Sequence, residues 1–308
     1  MSTPVTPDVL AQMLEVPVNS LRAQARKASK AYREVSFVSG GRSRTLQIPS
    51  PTLKDLQDKI HRTVLADLPL SSAVHSCAGR SVVTGARVHI NHAFVSIRDF
   101  KNCFPSVRSE LVSTALMRSG FTADAAGLAT RLCTVGEGLP IGAPTSPILL
   151  NIVLRDFDEW AMKAAGAVGL TYTRYADDLT LSGATSPIAV FARLEREAMH
   201  YGLHFNKAKR RDWRPGQRPT ITGIVIGSTL QPEPEFLENL IVALIDAAGG
   251  NWRLTPDQIQ GAISWVHACN PKLARNLQVK LANAKKLRSR SVHPAPSPLA
   301  NAETHLAV

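Results

Sequence analysis

Leu170-Thr171-Tyr172-Thr173-Arg174-Tyr175-Ala176-Asp177-Asp178-Leu179-Thr180-Leu181-Ser182-Gly183 places two adjacent carboxylates between two strand-forming runs. β-Branched and aromatic residues flank the tetrad 175–178 on both sides, and Gly183 closes the second run. Two strands joined by a tight turn are therefore expected. The turn carries two adjacent carboxylates. Like charges so placed repel unless a cation stands beside them, and hard divalent ions prefer carboxylate oxygen. Taken alone, the tetrad reads equally as a solvated turn, because Asp is common in turns. A metal site requires a further carboxylate from elsewhere in the chain.

Residues 91–98 have strand composition, and Asp99 stands directly after them. Phe100-Lys101-Asn102-Cys103-Phe104-Pro105-Ser106 then leads into a helical pattern. Ser106 reads as its N-cap, Val107, Leu111 and Ala115 as one face, and Gly120 as its stop. Asp99 would sit where strand gives way to helix, although an Asp there is also a common cap, and Phe104 also reads as core. A third segment, Gly138-Leu139-Pro140-Ile141-Gly142-Ala143-Pro144-Thr145-Ser146-Pro147, is a loop of restricted shape. Ser146 is its expected N-cap and Pro147 the first helical residue of a buried helix reaching about Ala165. The small residues of the loop permit close approach of a ligand to the backbone.

In this order and spacing, the three segments resemble the palm of a reverse transcriptase, most closely the bacterial retron type. Residues 98–106 are similar to the first palm motif, 138–147 to the second, and Tyr175-Ala176-Asp177-Asp178 to the third. Gly202-Leu203-His204-Phe205-Asn206-Lys207-Ala208-Lys209 is similar to the fourth, and Ile221-Thr222-Gly223-Ile224-Val225 to the hairpin before the thumb. The segment from Tyr32 through Ser39-Gly40-Gly41-Arg42-Ser43-Arg44 to Gln57 resembles the fingers. The likeness covers about residues 20–285. It implies an α+β right-hand polymerase with fingers, a palm of mixed or antiparallel sheet with helices, and a helical thumb. The expected divisions are 1–86 for N-terminal helices and fingers, 87–227 for the palm (107–140 contributing to the fingers), 228–290 for the thumb, and 291–308 as a disordered tail.

The resemblance also implies chemistry: a 3′-hydroxyl attacks the α-phosphate of a deoxynucleoside triphosphate, and pyrophosphate leaves in line. Two Mg²⁺ ions, with Mn²⁺ as a substitute, would be held by Asp99, Asp177, Asp178 and the backbone carbonyl of Phe100. Lys209 would neutralise or protonate the leaving group, although Lys207-Ala208-Lys209-Arg210-Arg211 reads equally as a solvated basic run. Arg44 would clasp the triphosphate, and Gly142 and Ala143 would line the nucleotide. Phe104 would pack against the sugar and reject a ribose hydroxyl. The implied partners are a structured non-coding RNA as template and primer, its RNA–DNA product, and an effector protein in defence against phage. Priming would start from a 2′-hydroxyl of that RNA. A group II intron-like or other defence-associated polymerase shares this chemistry, and an RNA-binding scaffold for a toxin or effector is the alternative of a different class.

The chain departs from the family pattern at four places. Ile141 stands where the second motif has Gln, and Phe37-Val38-Ser39 lacks the lysine usual before Gly40-Gly41. Gly85-Ala86-Arg87-Val88-His89 keeps the Ala and His of the retron Asn-Ala-x-x-His but loses its Asn, and Ile221-Thr222-Gly223 replaces Val-Thr-Gly.

Composition agrees with a polyanionic partner. The 308 residues carry a net charge of +12, and each phosphate neutralised releases condensed counterions. Aromatic residues are only 6% of the chain, so backbone and shape contacts should outweigh base stacking. Helices are expected near 233–248, 255–268 and 271–288. In the last, Leu273, Leu277, Leu281 and Ala284 share one face, while Lys272, Arg275 and Lys286 project from the other to meet nucleic acid, a solvated basic face being the alternative. The four cysteines show no Cys-x-x-Cys spacing, no apolar stretch approaches a membrane span, and the N-terminus has no signal-peptide pattern, so a cytoplasmic protein without membrane partners is expected. The pairs His89/His92 and His200/His204 have metal-compatible spacing but no evident further ligand.

Overall fold

A computed structural model describes residues 4–39 and 42–292, the side chains of 39, 42–44 and 289–292 excepted. The chain forms two compact units, Met1–Thr222 and Gly223–Val308. In the first, Thr6 caps α1 (Pro7–Met13) through the amide of Val9, and α2 (Val18–Lys27) follows Pro17. Pro17, its φ already preset, holds the cap position of α2. A hairpin of β1 (Tyr32–Ser39) and β2 (Arg42–Pro49) comes next, its register running from Tyr32↔Pro49 to Ser39↔Arg42. Ser50 then caps α3 (Pro51–Ile60), which widens into a π-turn over His61–Leu65.

The segments carrying Asp99 and Asp177-Asp178 meet on one four-stranded antiparallel sheet. After α4 (Val82–Arg87), the strands are β3 (Phe94–Asp99), β4 (Leu170–Tyr175), β5 (Asp178–Gly183) and β6 (Arg211–Trp213), in the order β4-β5-β3-β6. Asp99 is the last residue of β3 rather than the residue after it. Between β3 and β4 lie α5 (Cys103–Ser106), α6 (Ser109–Arg118), α7 (Ala123–Cys133), α8 (Ser146–Val153) and α9 (Arg155–Gly166). After β5 comes α10 (Ile188–Ala198), closed by a 3₁₀ turn and Gly202 at φ 70°. The helices cover one hydrophobic core that reaches from Leu10 to Phe205. Under the end of β3, the Phe100 ring stacks on Phe205 at 5.4 Å and meets the Phe157 edge at 5.9 Å. Each such buried side chain contributes about 1.5–3 kcal/mol.

Three helix boundaries differ from expectation. Ser106 ends α5, and Arg108 holds the cap position of α6, whose first turn carries Glu110. Ser146 spends its hydroxyl donating to the Pro140 carbonyl at 2.7 Å, so Thr145 takes the cap position. The expected single helix 148–165 breaks at Leu154 into α8 and α9. Asp156 and Asp158 fall in the first turn of α9, where acidic side chains favour a new helix N-terminus.

In the second unit, β8 (Ile224–Ile226) pairs antiparallel with β9 (Leu230–Pro232); β7 (Thr220–Ile221) precedes them at the end of the first unit. Three helices follow: α11 (Pro234–Ala248), α12 (Pro256–Cys269), whose Thr255 and Gln258 form a reciprocal capping box, and α13 (Pro271–Val292). Leu240, Leu244, Ile259, Ile263, Val266, Leu277, Leu281 and Ala284 make their core. The tail expected from 291 lies outside the described residues after Val292, and residues 291–292 still belong to α13. No described helix is long and apolar enough to cross a membrane.

Candidate active site

The register of the sheet assembles the site. Asp99 stands directly opposite Asp178 across β3 and β5, and Tyr175 opposite Asp178 across the hairpin, leaving Ala176-Asp177 as the turn. Opposed residues of an antiparallel pair have Cβ atoms about 5 Å apart, and like charges there are destabilising. The Phe100 amide donates to the Asp177 carbonyl at 3.0 Å, tying the end of β3 to the turn. Three carboxylates from two distant segments thus share one corner of the sheet.

Their electrostatics reflect that crowding. Burial, then the neighbouring Asp99, raises the pKa of Asp177 above the usual carboxylate range. Asp178 is pushed up to about 6, by burial first and then by Asp177 and Asp99. The donor set fits a hard divalent cation: carboxylate oxygens that withhold ionisation when left to themselves are those a cation stabilises most. Among the described residues, no three His, Cys, Asp or Glu side chains stand ready at ligating geometry. The counter-charge beside Asp99 is instead Lys209, whose Nζ donates to Asp99 Oδ2 at 2.5 Å.

Lys209 reaches that place because the segment before it is stitched to β3. The Lys101 amide donates to the His204 carbonyl, the Asn206 amide donates to the Asp99 carbonyl, and Phe100 and Phe205 form a bridge. Asn206 then caps the short turn 207–209 by accepting from the Ala208 amide. Lys209 is 41% exposed and ion-paired to Asp99.

Phe104 is half-buried in α5 and packs against the core. Its carbonyl accepts from Leu139, and Gly138 lies so close behind that a Cβ there would come 2.3 Å from the Pro105 carbonyl oxygen. Gly142 adopts φ 117°, close to β2, where the Gln47 amide donates to the Ile141 carbonyl at 2.7 Å. Ala143 is buried. Arg44 lies in β2 with its backbone opposite Phe37, and its side chain is outside the described residues. Lys272, Arg275 and Lys286 are exposed on α13, in the second unit.

Sequence reasoning passed over the groups that hold the turn. Arg174, fully buried, forms a two-pronged pair with the equally buried Asp158, Nε to Oδ1 at 2.8 Å and Nη2 to Oδ2 at 2.6 Å. The Tyr172 hydroxyl donates to the same carboxylate. Arg174 Nη1 donates to the Ala176 carbonyl and to Asn151 Oδ1. The Ala176 amide donates to Ser76 Oγ. An arginine inside an otherwise buried strand was the available signal, since such a charge must find a carboxylate. Nothing in the sequence names Ser76. The histidine pair is also resolved: His89 puts Nδ1 beside Ser182 Oγ and Nε2 beside Thr173 Oγ1, so both ring nitrogens are engaged without metal.

Known proteins resemble this arrangement. The family model described as reverse transcriptase (RNA-dependent DNA polymerase) matches residues 28–230. The retron Mx65 reverse transcriptase of Myxococcus xanthus is 31% identical over 88% of this chain and 70% of its own length. The retron Ec86 reverse transcriptase of Escherichia coli is 32% identical over 70% of each. A solved telomerase from Candida albicans, in complex with a TWJ fragment of telomeric RNA, aligns with a TM-score of 0.47 at 11% identity. It covers 87% of this chain, which spans 59% of that one.

Proposed function

The chain belongs to the retron-type reverse transcriptases and is an RNA-directed DNA polymerase of right-hand fold, and we propose that it copies part of a cognate structured non-coding RNA into single-stranded DNA. The observation that carries the catalytic reading is the register that sets Asp99 against Asp178 with Asp177 in the adjoining turn. Asp99, Asp177, Asp178 and the Phe100 carbonyl would hold two Mg²⁺ ions, or Mn²⁺ in their place. When bound, such ions supply charge stabilisation to the attacking and leaving oxygens of nucleotidyl transfer. Lys209, held on Asp99, would exchange that partner for the departing pyrophosphate and give it a proton.

The remaining roles follow the same reading. Residues 1–86 serve as N-terminal helices and fingers, 87–227 as palm with 107–140 contributing to the fingers, and 228–290 as thumb. Arg44 clasps the triphosphate. Gly142 and Ala143 offer the nucleotide their backbone, the Ala143 side chain being buried. Lys272, Arg275 and Lys286 grip the RNA–DNA product, because phosphate contacts need basic groups and no particular sequence. In the cell the reaction would start from a 2′-hydroxyl of the RNA and serve, with an effector protein, in cytoplasmic defence against phage.

Asp177→Asn should lower primer extension on an RNA template by about a thousandfold, since removal of a metal-bridging charge costs several kcal/mol of barrier. Undiminished DNA synthesis would refute the metal-site reading. Loss of DNA with cellular protection intact would instead favour the scaffold. Phe104→Ala tests the sugar contact: ribonucleotide incorporation should rise by about tenfold or more, with unchanged selectivity removing that role.

A further inference from the structure

The turn bearing Asp177 holds a backbone conformation that its own residues disfavour. Ala176 sits at φ 51°, the left-handed region that burdens any residue with a Cβ, and it occupies the position between two strand ends. Such a conformation persists only where surrounding groups over-determine it. Here both polar groups of Ala176 are taken by side chains: its amide donates to Ser76 Oγ at 3.0 Å, and its carbonyl accepts from Arg174 Nη1 at 2.8 Å.

Ser76 is itself fixed from three sides. The segment 73–76 runs parallel to the end of β4, with the Arg174 amide donating to the Ala73 carbonyl and the His75 amide donating to the Arg174 carbonyl. Asn151, buried in α8, donates to the Ser76 carbonyl at 3.0 Å, and Ser76 Oγ donates back to Asn151 Oδ1 at 3.4 Å. Arg80 gathers the carbonyls of Ser71, Ser72 and Val74 at 2.8, 3.2 and 2.7 Å. Asp158 anchors Arg174 from the far side.

We propose that Ser76, with Asn151 and Arg174, forms a positioning brace that holds the strained Ala176 peptide and thereby sets the place of the Asp177 carboxylate. The proposal rests on the polymerase reading of that carboxylate. Ser76 touches no reacting atom; it acts through the turn. Its hydroxyl is a single atom on a loop, so its removal tests the brace without opening the buried Arg174–Asp158 pair.

Two measurements decide it. In Ser76→Ala, kcat for primer extension should fall about tenfold while the KM for deoxynucleotide stays within about twofold, the loss expected of one hydrogen bond that positions without binding substrate. Ser76→Thr, which keeps the hydroxyl, should restore kcat. Independently of catalysis, amide hydrogen exchange of the turn peptide in metal-free protein should speed up about tenfold in Ser76→Ala and return to the parental rate in Ser76→Thr. Parental turn exchange in Ser76→Ala overturns the brace. So does a loss confined to KM or to thermal stability. If Asp177→Asn still makes DNA, the polymerase assignment of the turn fails, while the exchange measurement still judges the brace.

Discussion

The first unit holds two hairpins of similar plan and opposite character. In each, two residues separate the paired strands: Gly40-Gly41 between β1 and β2, Ala176-Asp177 between β4 and β5. The β4–β5 hairpin forms one side of a four-stranded sheet and is mostly buried, whereas β1–β2 is a sheet of its own in which Pro49 alone is buried among the described side chains. What crosses the exposed pair is light: Ser36 to Thr45 at 3.0 Å and Gln47 to Glu34 at 3.3 Å. What crosses the buried pair is an imidazole, His89, bonded to one hydroxyl on each strand, and an arginine whose carboxylate comes from α9. A hairpin that must keep carboxylates at a fixed point is held by groups from outside itself. Among the described residues the exposed ribbon belongs to no larger sheet, and a lone two-stranded ribbon is only marginally stable.

The sharpest way to break this contrast is Asp158→Asn. Arg174 would keep its charge in a dry site without an ionic partner, which costs about 3–5 kcal/mol. Urea denaturation should show that loss, and a change below about 1 kcal/mol would mean the buried hairpin is not held through this pair.

Acid offers a second, graded test. Burial, then the neighbouring His92 and His75, lowers the pKa of His89 from 6.5 to about 3. The unfolded chain therefore binds a proton that the folded one refuses, so stability is full above about pH 6.5 and declines as pH falls toward 3. His89→Gln should flatten that part of the stability–pH curve; an unchanged slope would assign the acid sensitivity elsewhere. The smallest effect belongs to the exposed hairpin. Ser36→Ala should change stability by less than about 0.5 kcal/mol, and a larger loss in the same denaturation assay would show that the two hairpins differ less than their burial implies.

Much of the site was legible before any coordinates. β-Branched and aromatic residues on either side of 175–178 marked two strands and a tight turn, and Asp99 was legible as a carboxylate at the end of a further strand. Leu277, Leu281 and Ala284 likewise fixed the inner face of α13 by helical spacing alone. Ser106 and Ser146 misled because a serine hydroxyl serves a loop as readily as a helix end, and Ser146 was spent on Pro140. Lys209 could not be separated from a solvated basic run, since its ion pair depends on the bridge between Phe100 and Phe205. Ser76 gave no signal at all, lying 100 residues from the amide it accepts from.

The residues alone marked the two strands around the 175–178 turn and the restricted loop at 138–147, because residue type and turn chemistry are local properties that survive in an unfolded chain; the grouping of Asp99 with Asp177 and Asp178 was implied by the family resemblance. Only the tertiary structure decided that Asp99 faces Asp178, that Lys209 is held on Asp99, and that the strained Ala176 is gripped by Ser76 and Arg174. Those are long-range contacts, set by how packed elements bring distant backbone and side-chain groups within hydrogen-bond reach, and no local pattern encodes that distance.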